Sequence, residues 1–211
     1  MATGERWNMF ATEARRYLAE RILRPRIVLL WLLLLAGCLA AGDFPPARWP
    51  WPALVCALFI LAFRLWDDLA DREHDRARHA DRCLVRAAEV RPFHIALWLL
   101  LAALAGLLGL LAGAARGLAL LALVSAFLAL YRLTAGRPGA RPWRVALVLA
   151  KYPACVLLLA RDPGAALAPL AALGVYLPLL LHEARDSGPA ILPPAAVFLG
   201  LAGLAWLGLT T

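Results

Sequence analysis

Apolar residues fall along this chain in seven long runs, separated by short segments rich in Pro, Gly and Arg. The runs are Ile27–Ala41, Trp51–Trp66, Phe93–Gly113, Gly117–Arg132, Trp143–Ala160, Ala165–Leu181 and Ala190–Leu209. A helix rises about 1.5 Å per residue, so about 20 apolar residues cross a bilayer core. The first, second and fourth runs are short and must draw on their flanks. Pro and Gly punctuate the linkers Asp43–Pro52, Gly136–Pro142, Asp162–Gly164 and Ser187–Pro189. The pattern predicts an all-α integral membrane protein, a multi-span helical bundle of about seven transmembrane helices. It reads as a single membrane domain over 1–211, with an N-terminal segment 1–25 ahead of a bundle at 26–211.

That N-terminal segment is different in kind. Between residues 5 and 24, Trp7, Phe10, Ala14, Tyr17 and Leu18 recur at helical spacing, flanked by Arg15, Arg16, Arg21 and Arg24. This predicts an amphipathic helix lying on the membrane surface, with Pro25 at its end or at a kink. Leu35-Ala36-Gly37-Cys38 looks like a lipoprotein cleavage box. The segment before it is long and carries Glu5, Glu13 and Glu20, unlike the short basic start of a signal peptide, so it is read as uncleaved.

Composition agrees with the runs. The chain is 63% hydrophobic with a mean hydropathy of +0.72, where a soluble domain is about 45–50% apolar. The net charge is +8, and Lys151 is the only lysine. A basic balance suits nucleic acid, but no RNA- or DNA-binding motif is present and no nucleic-acid partner is expected. Arg-rich cytoplasmic loops account for it. The N-terminal segment, Arg64–Arg91 and Arg132–Arg144 are Arg-rich, whereas the loops with Arg48, Arg116, and Arg161 with Asp162 are nearly uncharged. Alternation through seven spans puts the first group, the N-terminus and the Leu181–Gly188 loop on the cytoplasmic side of the cell inner membrane, and the C-terminus outside. Cys38, Cys56, Cys83 and Cys155 form no CxxC pair and read as small hydrophobes. Gly106, Gly109 and Gly113 suggest close helix packing. Trp66, Tyr131 and Trp143 read as interface aromatics.

One stretch needs more than a membrane to explain it. Asp67, Asp71 and Asp75 follow i, i+4, i+8, and Asp68 joins them at i+3 and i+7 spacing. Carboxylates stacked on one helical face repel one another unless a cation lies among them. A smaller acidic group, Glu183 and Asp186, follows the sixth run and faces the same compartment in the predicted topology. Magnesium favours oxygen ligands from one or two carboxylates, with substrate phosphates completing its shell. Such ions would neutralise a leaving diphosphate, and basic side chains would bind its oxygens. Arg64, Arg72, Arg76, Arg82, Arg132 and Lys151 are available, with apolar spans for a hydrocarbon tail. Lys151 lies inside the fifth run, where a charge is either functional or snorkels to an end. His74, His79 and His182 lack zinc-ligand spacing and read as solvated.

Asp67-Asp68-Leu69-Ala70-Asp71-Arg72-Glu73-His74-Asp75 resembles the first aspartate motif, NDxxDxxxD, of the UbiA superfamily of intramembrane prenyltransferases. Arg21-Ile22-Leu23-Arg24-Pro25 is similar to the entry to that family's first span. Asp81-Arg82-Cys83-Leu84 resembles the NRPL that follows the first motif, Tyr131-Arg132 the end of the fourth span, and Glu183-Ala184-Arg185-Asp186 the second motif. The resemblance implies a UbiA-like bundle that moves a prenyl group from a prenyl diphosphate to an aromatic or lipid acceptor, with Mg2+ as cofactor. It implies metal ligation by Asp67, Asp68, Asp71, Asp75, Glu183 and Asp186. Asp68, Asp71 and Lys151 are the expected catalytic residues, and Arg64, Arg72, Arg82, Tyr131 and Arg132 the expected diphosphate ligands. The chain departs from the family in Asp67 for Asn, Cys83 for Pro and Glu183 for Asp. It also has seven runs where about nine spans are usual, which leaves closure of the cavity to membrane lipid or to a second copy of the chain in a homo-oligomer.

Other readings stay open at this point. A terpene cyclase of the same fold would quench the cation within its own chain. A cation transporter would need charges deeper in several runs, and few are present. A non-catalytic membrane protein would use the Asp row as an Arg-balanced, solvated face, since seven Arg residues lie between 64 and 91. The Gly- and Arg-containing signature of a CDP-alcohol phosphotransferase is absent.

Overall fold

The structure, a computed structural model, describes residues 3–87, 89–134, 137, 140–163 and 165–210, with side chains described for all of these but 3–6, 74, 78, 187 and 204–210. Among them every regular element is helical. A backbone in hydrocarbon must satisfy its own polar groups, and a helix does so within one segment. Among the described residues five helices are long and apolar enough to cross a membrane: Pro25–Gly42, Arg91–Ala112, Ala114–Thr134, Arg141–Leu159 and Leu167–Asp186. Their outward faces are apolar, with Leu29, Leu99, Leu110 and Leu118 all exposed. Exposed apolar side chains of this kind suit lipid, so the helices are compatible with an integral membrane protein.

Two of the seven runs fall outside that set of five. Pro50–Ala70 spans 21 residues but carries Arg64, Asp67 and Asp68 in its last turns. In Leu192–Thr210 the apolar stretch with described side chains is the shorter Pro189–Gly203.

The chain divides into two compact units. The first comprises Met1–Leu32 and Leu54–Leu104. It holds α1 (Thr3–Tyr17), a π-helical turn at Leu18–Ile22, the start of α2 (Pro25–Gly42), most of α3 (Pro50–Ala70), the short α4 (Arg72–Arg78) and α5 (Cys83–Arg86), and most of α6 (Arg91–Ala112). The predicted amphipathic segment is thus a helix, and Pro25 opens the next one, where its missing N–H costs no hydrogen bond. Phe59, Phe63, Leu65 and Trp66 bury the inner face of α3. The Phe59 and Phe63 rings lie 4.5 Å apart, and Trp66 stacks on Phe63 at 6.0 Å. Trp66 is therefore a core residue, contrary to its expected place in an interface belt; its ring fills the space that Phe63 leaves above it. Trp143, by contrast, is exposed. Phe10 of α1 meets Phe93 of α6 edge-on at 5.3 Å, which fastens α1 to the rest of the unit.

The second unit comprises Leu33–Ala53 and Ala105–Thr211. It holds the rest of α2 and α6, then α7 (Ala114–Thr134), α8 (Arg141–Leu149), α9 (Lys151–Leu159), α10 (Leu167–Ser187) and α11 (Leu192–Thr210). The fifth run is broken into α8 and α9 at Ala150, because Pro153 has no N–H for the Leu149 carbonyl and its ring crowds that turn. Tyr176 of α10 donates a hydrogen bond to the Ala146 carbonyl at 3.0 Å and sits in a core with Leu180, Ile191 and Ala195.

Close helix approach occurs at one of the expected glycines, Gly109, and at a glycine beyond them. Gly106 meets no close neighbour, Gly109 lies against α7 with its N 3.5 Å from where a Gly117 Cβ would be, and Gly113, at φ +95°, makes the turn between α6 and α7. The tight contact is one turn further on, at Gly117, where a Cβ would lie 2.7 Å from the Ala105 carbonyl oxygen. Gly117→Ala should therefore lower stability in detergent by about 1–3 kcal/mol. Gly106→Ala, facing open space in a helix, should raise it by up to about 1 kcal/mol. Equal effects of the two in denaturant unfolding would contradict this packing.

Candidate functional site

The Asp row ends α3 as its spacing predicts. Asp71 donates its N–H to the Asp67 carbonyl at 2.9 Å, and Asp75 to Asp71 at 2.9 Å. The helical register therefore continues through the kink at Asp71, where φ is −90° and ψ is 3°. Asp67, Asp71 and Asp75 stack along one line. Asp68, one residue on and so about 100° around the helix, points into the first unit and is 7% exposed.

The π-helical turn supplies what Asp68 meets. Leu23 donates to the Leu18 carbonyl at 2.8 Å, five residues back, which widens the turn by one residue. Arg21 then reaches Asp68 with both prongs, Nε to Oδ2 at 3.0 Å and Nη2 to Oδ1 at 2.5 Å. The Tyr17 hydroxyl, one turn earlier on the same face, donates to Oδ2 at 3.1 Å. Arg64 Nε stands 3.5 Å from Oδ2 and is buried without a hydrogen-bond acceptor. Asp75, also buried, accepts from Arg82. Three guanidinium groups thus face two buried carboxylates. Around it the backbone is strapped down. Arg72 donates to the carbonyls of Leu84 at 2.9 Å and Ala87 at 3.4 Å, and Cys83 donates its N–H to Glu20 at 3.2 Å.

Burial raises the Tyr17 pKa far above its usual value, and the charge and hydrogen bonding of Asp68 raise it further. Burial opposes the charge on Arg21, but its hydrogen bond and charge interaction with Asp68 outweigh this and raise its pKa. Burial, with Glu20 and Glu13 nearby, also pushes the Cys83 thiol up, so it is not an activated nucleophile.

Tyr17, Arg21, Asp68, Asp75 and Arg82 line a space of about 10 Å³, roughly one water's worth. The carboxylates suit magnesium as oxygen donors. Among the described residues, however, no three oxygens of the row converge on one point, and Asp68 and Asp75 face guanidinium groups. A metal would have to displace those partners. The first unit also holds a mainly apolar groove of about 170 Å³, bounded by Ile22, Trp31, Ala57 and Ile60. Ile60 lies one turn before Arg64 on the same face of α3, so groove and guanidinium are successive stations along the helix.

The other expected site residues are placed as follows. Asp67 and Asp71 are half-buried, and Arg76 pairs with Glu73 at the surface at 3.0 Å. Lys151 opens α9, is 1% exposed, and holds Nζ 5.3 Å from the Tyr152 ring centre, so it does not snorkel outward. Tyr131 is half-buried and Arg132 exposed near the end of α7. Glu183 is half-buried and Asp186 exposed in the last turns of α10, with His182 Nε2 3.7 Å from Asp186. These last five belong to the second unit and the Asp row to the first. His79 is exposed, and the His74 side chain lies outside the described residues. Cys38 is buried within α2. Sequence reasoning missed the pairing of Tyr17 and Arg21 with Asp68. Their four-residue spacing was the available signal, since it puts both on one helical face.

Tyr17 gives a pH signature. A buried phenol that keeps its proton above the usual value of 10.0 holds the fold fully below that pH. The unfolded chain loses the proton first, so stability falls as pH rises beyond it. Between about pH 8 and about pH 11, wild type should lose unfolding temperature more steeply than Tyr17→Phe. Parallel curves would contradict burial of the hydroxyl.

No family model matches this chain, and neither the curated proteins nor the solved structures searched contain a match.

Proposed function

We propose that this chain is an intramembrane prenyltransferase of UbiA type, transferring a prenyl group from a prenyl diphosphate to an aromatic or lipid acceptor. The supporting observation is the guanidinium cluster around Asp68 with a mainly apolar groove one helical turn away in the same unit. A phosphate-bearing isoprenoid has this division into anionic head and hydrocarbon tail. The tail would lie along Ile22, Trp31 and Ile60, and the diphosphate would draw Arg21, Arg64 and Arg82 away from the carboxylates. Guanidinium forks match phosphate as well as they match carboxylate, so the exchange keeps their hydrogen bonds. Magnesium, held by Asp67, Asp68, Asp71 and Asp75, would supply charge neutralisation for the departing group. The bond from the prenyl C1 to the diphosphate oxygen breaks, its electron pair leaves with diphosphate, and the acceptor adds to the allylic cation and releases a proton. The finer topology proposed with this reading is seven spans in the inner membrane, Asp row cytoplasmic.

A second reading is favoured by the enclosure of Asp68, which accepts from Tyr17 and Arg21, has Arg64 at 3.5 Å and leaves only about 10 Å³ beside it. In that reading the protein is non-catalytic, and the cluster fastens α1 to α3.

Pyrophosphate release from a panel of prenyl diphosphates, with and without magnesium, separates the two. Prenyl transfer predicts magnesium-dependent release by wild type and a loss of about 100-fold or more in Asp71→Ala. No release from any substrate, or equal release by the variant, would leave the non-catalytic reading.

A further inference from the structure

A second groove in the first unit is shaped for a different lipid. It lies between α1 and the start of α6 and has a volume of about 300 Å³, at the lower end of the range for small-molecule sites. Its walls are Trp7 and Phe10 of α1 with Ile95 and Leu99 of α6. Its lining also includes Glu13, Glu89 and Arg91. Glu13 is half-buried, while Glu89 and Arg91 are exposed. Among the described residues none of these three makes an ion pair. Unpaired charges of both signs, two carboxylates and one guanidinium, therefore share one apolar groove.

The order of these groups along α6 matters. Arg91 is the first residue of a helix long and apolar enough to span a membrane. Leu99 stands eight residues further in, about 12 Å along the axis. The groove is polar where the span begins and apolar where the span runs towards hydrocarbon. Trp7 is 65% exposed at its edge, and exposed Trp is favoured at headgroup depth.

We infer that this groove binds a zwitterionic aminophospholipid of the phosphatidylethanolamine class. The primary ammonium lies between Glu13 and Glu89, donating N–H bonds to both carboxylates. The phosphate lies against Arg91, and one acyl chain runs along Ile95 and Leu99 beneath Trp7 and Phe10. An ammonium with three N–H donors can bond both carboxylates at once. Phosphatidylcholine offers the positive charge without the donors. Phosphatidylglycerol would bring its negative charge to two carboxylates with no ammonium to offset it. The inference rests on a membrane location and not on prenyl transfer, because it uses none of the residues around Asp68.

Native mass spectrometry of the full chain in detergent, titrated with each of the three lipids, tests it. Phosphatidylethanolamine should be retained at least about tenfold more tightly than the other two. A variant carrying Glu13→Gln and Glu89→Gln should lose that preference. Quenching by phosphatidylethanolamine with brominated acyl chains gives an independent reading: the quenched fraction should be larger in wild type than in Trp7→Phe. Equal retention of the three lipids by wild type, an unchanged preference in the double variant, or equal quenching with and without Trp7 would each overturn the assignment.

Discussion

The fork between Arg21 and Asp68 is the interaction on which the first unit depends. It joins the turn after α1 to the last turns of α3, residues that are 47 apart in sequence. Two long apolar helices have no reason of their own to choose a register at their polar ends, since one leucine is much like another to lipid. A two-pronged ion pair has only one good geometry. It sets the rotation of α3, and with it that Asp68 points inward while Asp67 and Asp71 stay half-buried. Tyr17 and Arg64 then have a fixed carboxylate to meet.

The energetics of this arrangement are asymmetric. A buried ion pair often gains little over a well-packed apolar pair, because desolvation offsets the attraction. Removing one partner is a different matter, since it strands the other charge and costs about 3–5 kcal/mol. The cluster therefore works as a constraint more than as a source of stability. It also gathers three guanidinium groups, with Arg64 Nε short of a hydrogen-bond acceptor. An anion arriving there would find guanidinium groups already gathered and one of them incompletely satisfied. The cluster that holds the fold at rest is the one proposed to receive the diphosphate.

Much of this was legible in the sequence. Helical character followed from the apolar runs, the N-terminal amphipathic helix from Trp7, Phe10, Ala14 and Tyr17, and the stacking of Asp67, Asp71 and Asp75 from their spacing. What was not legible turned on partners distant in the chain. Nothing local to Asp68 says that Arg21 will take both its oxygens, because the π-helical turn at Leu18–Ile22 decides where Arg21 points. Trp66 looked like an interface aromatic from its position at a run's end, and only Phe63 stacking reveals it as core. The glycines of α6 were similarly ambiguous: spacing marks small residues, but which of them meets a neighbour depends on how α6 and α7 cross.

The central claim is that Asp68 is bound to Arg21 and not merely near it. A double-mutant cycle of Arg21→Ala and Asp68→Ala, followed by unfolding in mixed micelles, measures that link directly. A direct, partly buried fork predicts that the two effects fail to add, with a coupling of about 2–3 kcal/mol. Additivity to within about 0.5 kcal/mol would mean the two residues act independently, and the account of the first unit would fall.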